Sequence, residues 1–514
     1  MARYLRAAIR LSLVLSVLVP SIGFGERLQT SDLMYQGAFR LPENFNWGAR
    51  GLSYYPLGNS GAGSLLVTGF EGLTGGFANY GEVSIPTPQQ EANWEDLPMA
   101  AFLRPLMPFD GGLVQALEGD SVFVSGIQYV PRQGTQTADK IYGSLNEWYP
   151  EGDFGDDSFP TIWLSNLNGS SARGLFYVGP QPQTAPYHGR KMGEYLFTVP
   201  QSYADTYLGG RILITGRSRG TPVGSEPVTT QGGSQGPTLF AIEPWQIDSP
   251  AANASMDALP ILYYRAAYPG CAGPDIGANG ENVDCDYEFS DQVFRMCDAW
   301  SGAGFVESGS KRAILILGQK SSTNCYYCGD PVDPTGCPYA TTPPACATYW
   351  CNESRGYHCG PYERQVIFYD TDELGQAAKG LRDPWTVLPY ALWRPTTFYL
   401  QGYTCGDVGG MAVDPTRGRV FMVERGLGEG DINAAAVHVW TVSASSCPTC
   451  SGDEVTLNVA FPAGKTCACT AKTSITLGSG VVIPRDATVT FIAPLVTIQP
   501  GVTIENGAVV HIRQ

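Results

Sequence analysis

The chain is poor in charge, and the charge it carries has the wrong sign for binding polyanions. Only 16% of its 514 residues are Asp, Glu, Lys or Arg, against about 25% in an average soluble domain. Its 32 Lys and Arg face 48 Asp and Glu, for a net charge of −16. A nucleic-acid or anionic-membrane partner needs a basic face, so this balance argues against both. Beyond the short run Leu11 to Val19, no apolar stretch approaches the length of a membrane-spanning helix. No cysteine precedes Cys271. There is no Gly-rich phosphate loop, no Gly-x-Ser-x-Gly elbow and no His-Glu-x-x-His helix, so the common signatures of nucleotide, serine-hydrolase and zinc-protease chemistry are missing.

What is present is repetition. Ser64-Leu-Leu-Val-Thr-Gly69, Ser121-Val-Phe-Val-Ser-Gly126, Arg211-Ile-Leu-Ile-Thr-Gly216 and Ala313-Ile-Leu-Ile-Leu-Gly318 are strand-length apolar pulses closed by a turn residue, and Val420 to Arg425 is a looser fifth copy. Gly-rich or small-residue segments such as Arg50 to Tyr55, Gly111 to Ala116 and Gly409 to Val413 lie upstream of the pulses. Third strands follow at Glu82 to Pro86, Ile141 to Leu145, Thr238 to Glu243, Gln365 to Asp370 and Ala436 to Trp440. Fourth strands are expected at Met99 to Arg104, Thr161 to Leu164, Pro260 to Arg265 and Pro384 to Leu388. A degenerate multi-strand unit recurring with variable insertions is the pattern of an all-β propeller. Five blades are expected, or six if Arg173 to Gly179 opens a blade instead of finishing the second. The fifth unit lacks a fourth strand, and Met34 to Arg40 lacks a unit, so pairing the two closes the ring.

Arg3, Arg6 and Arg10 precede the apolar run, and Gly23-Phe-Gly25 has small-x-small spacing, the layout of a secretory signal peptide over residues 1–25. The mature chain is then secreted, on the cell surface or in the periplasm. Export favours disulfides among the 14 cysteines: ten from Cys271 to Cys405, and Cys447, Cys450, Cys467 and Cys469 in the tail, both even sets. Cys325-Tyr-Tyr-Cys328 and Cys447-Pro-Thr-Cys450 also have zinc or redox spacing, but export favours structural bridges. The propeller is expected over residues 26–442, with Cys-rich insertions at 268–297 and 320–363, then a linker at 443–452 and a tail module at 453–514. In the tail, Ile475-Thr-Leu-Gly-Ser-Gly480 and its following Ile483, Ala487, Val489 and Phe491 match Val496-Thr-Ile-Gln-Pro-Gly501 and Ile504, Ala508, Val510 and Ile512 at a constant offset of 21. That period reads as short coils of a β-solenoid.

With its blades, the Gly409 to Val420 segment and the Val496 to Gly501 tail, the chain resembles secreted bacterial β-propeller proteins of uncharacterised function that carry a short β-solenoid tail. The resemblance implies a fold and an exported location, and brings no catalytic residue with it.

In a propeller, the loops from strand two to three and from strand four to the next strand one share a face, and the two Cys-rich insertions are of these types. Trp47, Arg50, Tyr129, His188, Arg190, Trp300 and His358 are the ligand-binding candidates on that rim. The ligand class is a carbohydrate or a surface protein, with the tail used for attachment or assembly. Among Glu281, Asp284, Asp286, Glu288 and Asp291, the candidates for a Ca²⁺ site are Asp284, Asp286 and Glu288, although the spacing matches no defined calcium loop and a solvated acidic loop is the plainer reading. Asp110, Asp298 and Asp407 each fall just before an expected innermost strand. They are the catalytic candidates of an alternative, glycan-cleaving function; the plainer reading is that they satisfy backbone N–H groups where strands begin. Asn168, Asn253 and Asn352 head glycosylation sequons that matter only in a eukaryotic secretory pathway.

Overall fold

A computed structural model describes residues 26–514, apart from 46–47, 71–76, 118–121, 148–160, 182–186, 188–191, 219–235, 244–250, 265–293, 295–297, 322–325, 329–355, 359–361, 399, 401–406, 428–433, 443–446, 449, 460, 463–464, 479–480, 484–486, 506 and 514. The expected signal peptide and most of both Cys-rich insertions therefore lie outside the described residues.

Five sheets, each built on four antiparallel strands, form a five-bladed β-propeller. From the axis outward, blade 1 is Leu52–Tyr55, Ser64–Thr68, Asn79–Val83 and Phe102–Pro108. Blade 2 is Val122–Val130, Lys140–Glu147, Ile162–Ser165 and Arg173–Val178. Blade 3 is Met192–Thr198, Leu213–Arg217, Leu239–Ile242 and Ala258–Leu262. Blade 4 is Ala299–Ser308, Lys311–Ser321, Tyr362–Tyr369 and Ala391–Trp393. Blade 5 is Val408–Asp414, Arg419–Leu427, Ala434–Val442 and, from the other end of the chain, Leu33–Arg40. This last strand runs antiparallel to Ala434–Val442, from the pair Leu33 and Val442 to the pair Arg40 and Ala436, and closes the ring as expected.

Two strand assignments differ from the sequence reading. In blade 2 the pulse ending at Gly126 is the innermost strand, not the second, so Thr161 to Leu164 supplies the third strand and Arg173 to Gly179 the fourth; Gly111 to Ala116 is turn and 3-10 helix. In blade 4, Pro384–Thr386 is a 3-10 turn and the outer strand is the three-residue Ala391–Trp393.

The glycines of the inner strands have a packing reason. A Cβ on Gly51 would stand 2.4 Å from Ser125 O, one on Gly302 2.8 Å from Met411 N, and one on Gly410 2.5 Å from Leu52 N. Each clash is with the backbone of the next blade's inner strand. Side-chain-free positions are therefore what lets five inner strands meet around one narrow axis.

After the propeller, the strands pair in parallel. Ser451–Leu457 lies beside Thr466–Leu477, which lies beside Thr488–Ile492 and Leu495–Ile498; Thr488–Ile492 in turn lies beside Val509–Arg513, and Val482–Ile483 beside Thr503–Ile504. Ile475 pairs with Val496, Val482 with Thr503 and Thr488 with Val509, each 21 residues on. Alternate side chains, among them Cys467, Cys469, Val489 and Phe491, point into a buried core. Disulfides Cys447–Cys467 and Cys450–Cys469 tie the first turn of this stack to the second, so Cys447 and Cys450 are bridged and not zinc ligands.

Candidate functional site at the axial mouth

Connectivity sorts the loops. Ala258–Leu262 of blade 3 ends, and Ala299–Ser308 of blade 4 begins, at one face, and there too Lys311–Ser321 ends and Tyr362–Tyr369 begins; this face, where the inner strands begin, is termed the upper face. At this face an antiparallel hairpin sets the start of the inner strand opposite the end of the second strand, as in the pairs Ala299 with Gln319 and Val408 with Glu424.

Blades 4 and 5 use that juxtaposition in the same way. Lys320 Nζ is 2.6 Å from Asp298 Oδ2, with the carboxylate fully buried. Arg425 Nη1 is 3.1 Å from Asp407 Oδ2, and Asp407 Oδ1 accepts the N–H of Val408 at 2.7 Å. Asp298 and Asp407 thus do stand at innermost strand starts, each held by a cation of its own blade. The Asp407 side chain keeps 39% exposure.

Arg50 spans blades. It follows Ala49, a buried non-glycine residue at φ +63°, a conformation that costs energy and so persists only where its surroundings enforce it. Arg50 Nη2 reaches Glu194 Oε1 of blade 3 at 2.7 Å, passing over the ring of Phe123 in blade 2 with Cζ 5.5 Å from its centroid. Both side chains are nearly buried, at 12% and 1% exposure. One ion pair therefore crosses the mouth from blade 1 to blade 3.

A second polar chain runs through the seam between blades 4 and 5. Arg364 Nη2 lies 3.4 Å from Glu424 Oε1, His438 Nε2 lies 2.9 Å from Glu424 Oε2, and Tyr35 Oη lies 2.9 Å from His438 Nδ1. An ionised Glu424 only accepts, so in the neutral ring Nε2 carries the proton and Nδ1 accepts the phenol O–H. Burial and the Glu424 charge hold the Tyr35 phenol above its usual range.

The other sequence candidates are placed as follows. Trp300 is the second residue of the inner strand of blade 4, but it is fully buried, edge-on to Phe294, and its backbone N–H donates to Ser218 O. Tyr129 is at the far end of its strand, away from the mouth, where its hydroxyl donates to Asp139 Oδ2 at 2.7 Å. Burial, helped by Asp139, raises its pKa. Asp110 does not precede an inner strand, because that of blade 2 starts at Val122. It is buried in a turn, accepting the N–H groups of Ala78 and Val114, and burial raises its pKa. Trp47, His188, Arg190, Asp284, Asp286 and Glu288 lie outside the described residues. His358 is in the short strand Gly356–His358, paired with Tyr326–Cys328, and its side chain lies outside the description. Among the described residues no cluster of three His, Cys, Asp or Glu is arranged to hold a metal ion, and no helix is long and apolar enough to cross a membrane.

Sequence reasoning passed over Glu194, Lys320, Arg364, Glu424, Arg425 and His438. One signal was available: Gly216-Arg217, Gln319-Lys320 and Glu424-Arg425 all place a cation at the end of a second strand. At the opposite face a cavity of 1420 Å³ opens between the inner-strand ends, including Thr198, Phe305 and Val413, and the C-terminal stack at Thr456, Phe461 and Thr503.

No family model matches the chain, and no curated protein matches it. Among solved structures it is similar to a protein of unknown function from Dyadobacter fermentans, at 9% identity and a TM-score of 0.33, over 80% of this chain and 99% of that one. A member of the DUF4221 family from Bacteroides vulgatus matches at 9% identity and a TM-score of 0.30, over 80% and 98%. Raptor from Chaetomium thermophilum matches at 6% and 0.24, over 82% of this chain and 30% of that one. Likenesses this distant carry no functional argument.

Proposed function

We propose that the chain is an exported binding propeller that takes a carbohydrate or surface protein on its upper face, with the C-terminal parallel stack acting as a short β-solenoid module for attachment or assembly. The observation that carries this reading is the Arg50 to Glu194 bridge, which sets a largely buried guanidinium, 12% exposed, between blades 1 and 3 on the upper face. Planar guanidinium groups beside aromatic rings suit both hydroxyl-rich and carboxylate-bearing ligands. The paired disulfides of the stack are compatible with an oxidising location.

The alternative, glycan cleavage by axial aspartates, needs two carboxylates free to face one glycosidic bond. Asp298 and Asp407 are instead each engaged by a cation of their own blade, which favours binding without turnover. A glycan array combined with reducing-sugar release separates the two. Binding without release is the expected result, and release that disappears in Asp407→Asn would establish the enzyme reading instead.

A further inference from the structure

The outermost turn of the C-terminal stack leaves open what the turn before it fills. Ile498, Ile504 and Ile512 are the register partners of Leu477, Ile483 and Phe491. The earlier three are fully buried, whereas Ile498, Ile504 and Ile512 are 48%, 46% and 52% exposed. Leu495 and Val509 on the same turn are also exposed. Five of the eleven exposed large apolar side chains among the described residues thus fall on one turn, a clustering that marks a contact surface where scattered single residues would not. Among the described residues no strand pairs with the outer side of Leu495–Ile498, Thr503–Ile504 or Val509–Arg513, so backbone donors and acceptors line the same edge.

The other end of the stack is finished differently. Ser451 to Glu454 are exposed, Asp453 and Glu454 put charge on that edge, and two disulfides brace it. Charged edges resist strand addition, so among the described residues the Ser451 to Glu454 edge is a poor match for head-to-tail growth from an apolar turn.

Charge also favours approach at the stack. Residues 453–514 contain four acidic residues (Asp453, Glu454, Asp486, Glu505) and four basic ones (Lys465, Lys472, Arg485, Arg513), whereas the whole chain carries −16. Two copies meeting here avoid most of the mutual repulsion that they would meet elsewhere.

We infer that the outermost turn is a two-fold dimer interface whose occupant is the same turn of a second copy. This specifies the assembly role proposed for the stack and rests on that reading. A two-fold contact is self-complementary and closes, so it covers both apolar turns and both open edges at once without building a fibre.

The test is sedimentation velocity of the full chain over a range of concentrations, beside Ile504→Glu, Ile512→Glu and the milder Ile498→Asn, with melting of each variant followed by circular dichroism. The wild type should dimerise reversibly. Each glutamate variant that melts like the wild type should associate at least about tenfold more weakly, since it would bury a charge; if both glutamate variants fold poorly, Ile498→Asn should still weaken the dimer. A wild type that stays monomeric at every soluble concentration would overturn the inference, as would a dimer undiminished in all folded variants or a monomer captured by phospholipid vesicles through this turn. Glycan binding is read separately, so binding by a monomer ends this inference alone, and a dimer that binds nothing ends the upper-face reading alone.

Discussion

His438 Nε2 lies 2.9 Å from Glu424 Oε2, and both side chains are completely buried. The pair joins the second and third strands of blade 5, while Arg364 reaches it from blade 4 and Tyr35 from the ring-closing strand. Removing one member of such a group takes a buried charge or hydrogen bond away from the others. Glu424→Ala should therefore cost about 3 to 5 kcal/mol, and Tyr35→Phe about 0.5 to 1.5 kcal/mol for a single hydrogen bond. Denaturant titration measures both; equal, small losses would mean that the relay is not a structural unit.

Alkali should unfold the propeller. Burial, the leading cause at each, raises the pKa of Tyr35, Tyr195, Tyr203 and Tyr390 above the ordinary 10.0. A raised value means that the folded state holds the proton more tightly. The stabilisation is fully present below pH 10.0, where folded and unfolded phenols are both protonated. It falls as the pH rises beyond that, because the unfolded chain ionises first, and it is exhausted once the pH passes the folded-state value. Stability against urea at neutral pH and above pH 10.0 checks the sign, and no decrease would contradict it.

Gly410→Ala should destabilise the ring by about 1 to 3 kcal/mol through overpacking. Its Cβ would stand 2.5 Å from Leu52 N, and a backbone atom cannot rotate away. A melting temperature equal to that of the wild type would show that the inner strands have slack at this seam.

Reduction should act on the C-terminal stack before the propeller blades. The bridges Cys447–Cys467 and Cys450–Cys469 close loops of 20 and 19 residues, and bridges of this kind contribute about 2 to 4 kcal/mol each. Proteolysis with and without reductant, followed by mass spectrometry, should show new cleavage within 447–514 only on reduction. Resistance in both states would contradict the bracing role.

The blades were readable in the sequence because a strand covered on both sides is a continuous apolar run ended by glycine, and five such runs recur. The same property misled in blade 2, where Val122 to Val124 is as apolar as any second strand although it lines the axis. In blade 4 the helix Thr371–Ala378, capped by Asp370 accepting from Asp372 and Glu373, displaces an outer strand too short to announce itself. At the site, Asp298 and Asp407 could be found by their position before a strand. Their partners are set by hairpin register, and Glu194 by the meeting of blades 1 and 3, which local pattern does not encode. His438 sits in Ala-Val-His-Val-Trp and reads as an ordinary buried strand.

The most direct measurement compares ligand binding by the full chain, Arg50→Ala and Ile512→Glu on one glycan array, with affinities for the strongest hit taken by calorimetry. Arg50→Ala should lose at least about tenfold in affinity, the scale of a charged hydrogen-bonding anchor, while Ile512→Glu binds as the wild type. Undiminished binding by Arg50→Ala, together with loss in Ile512→Glu, would move the site from the axial mouth to the C-terminal stack.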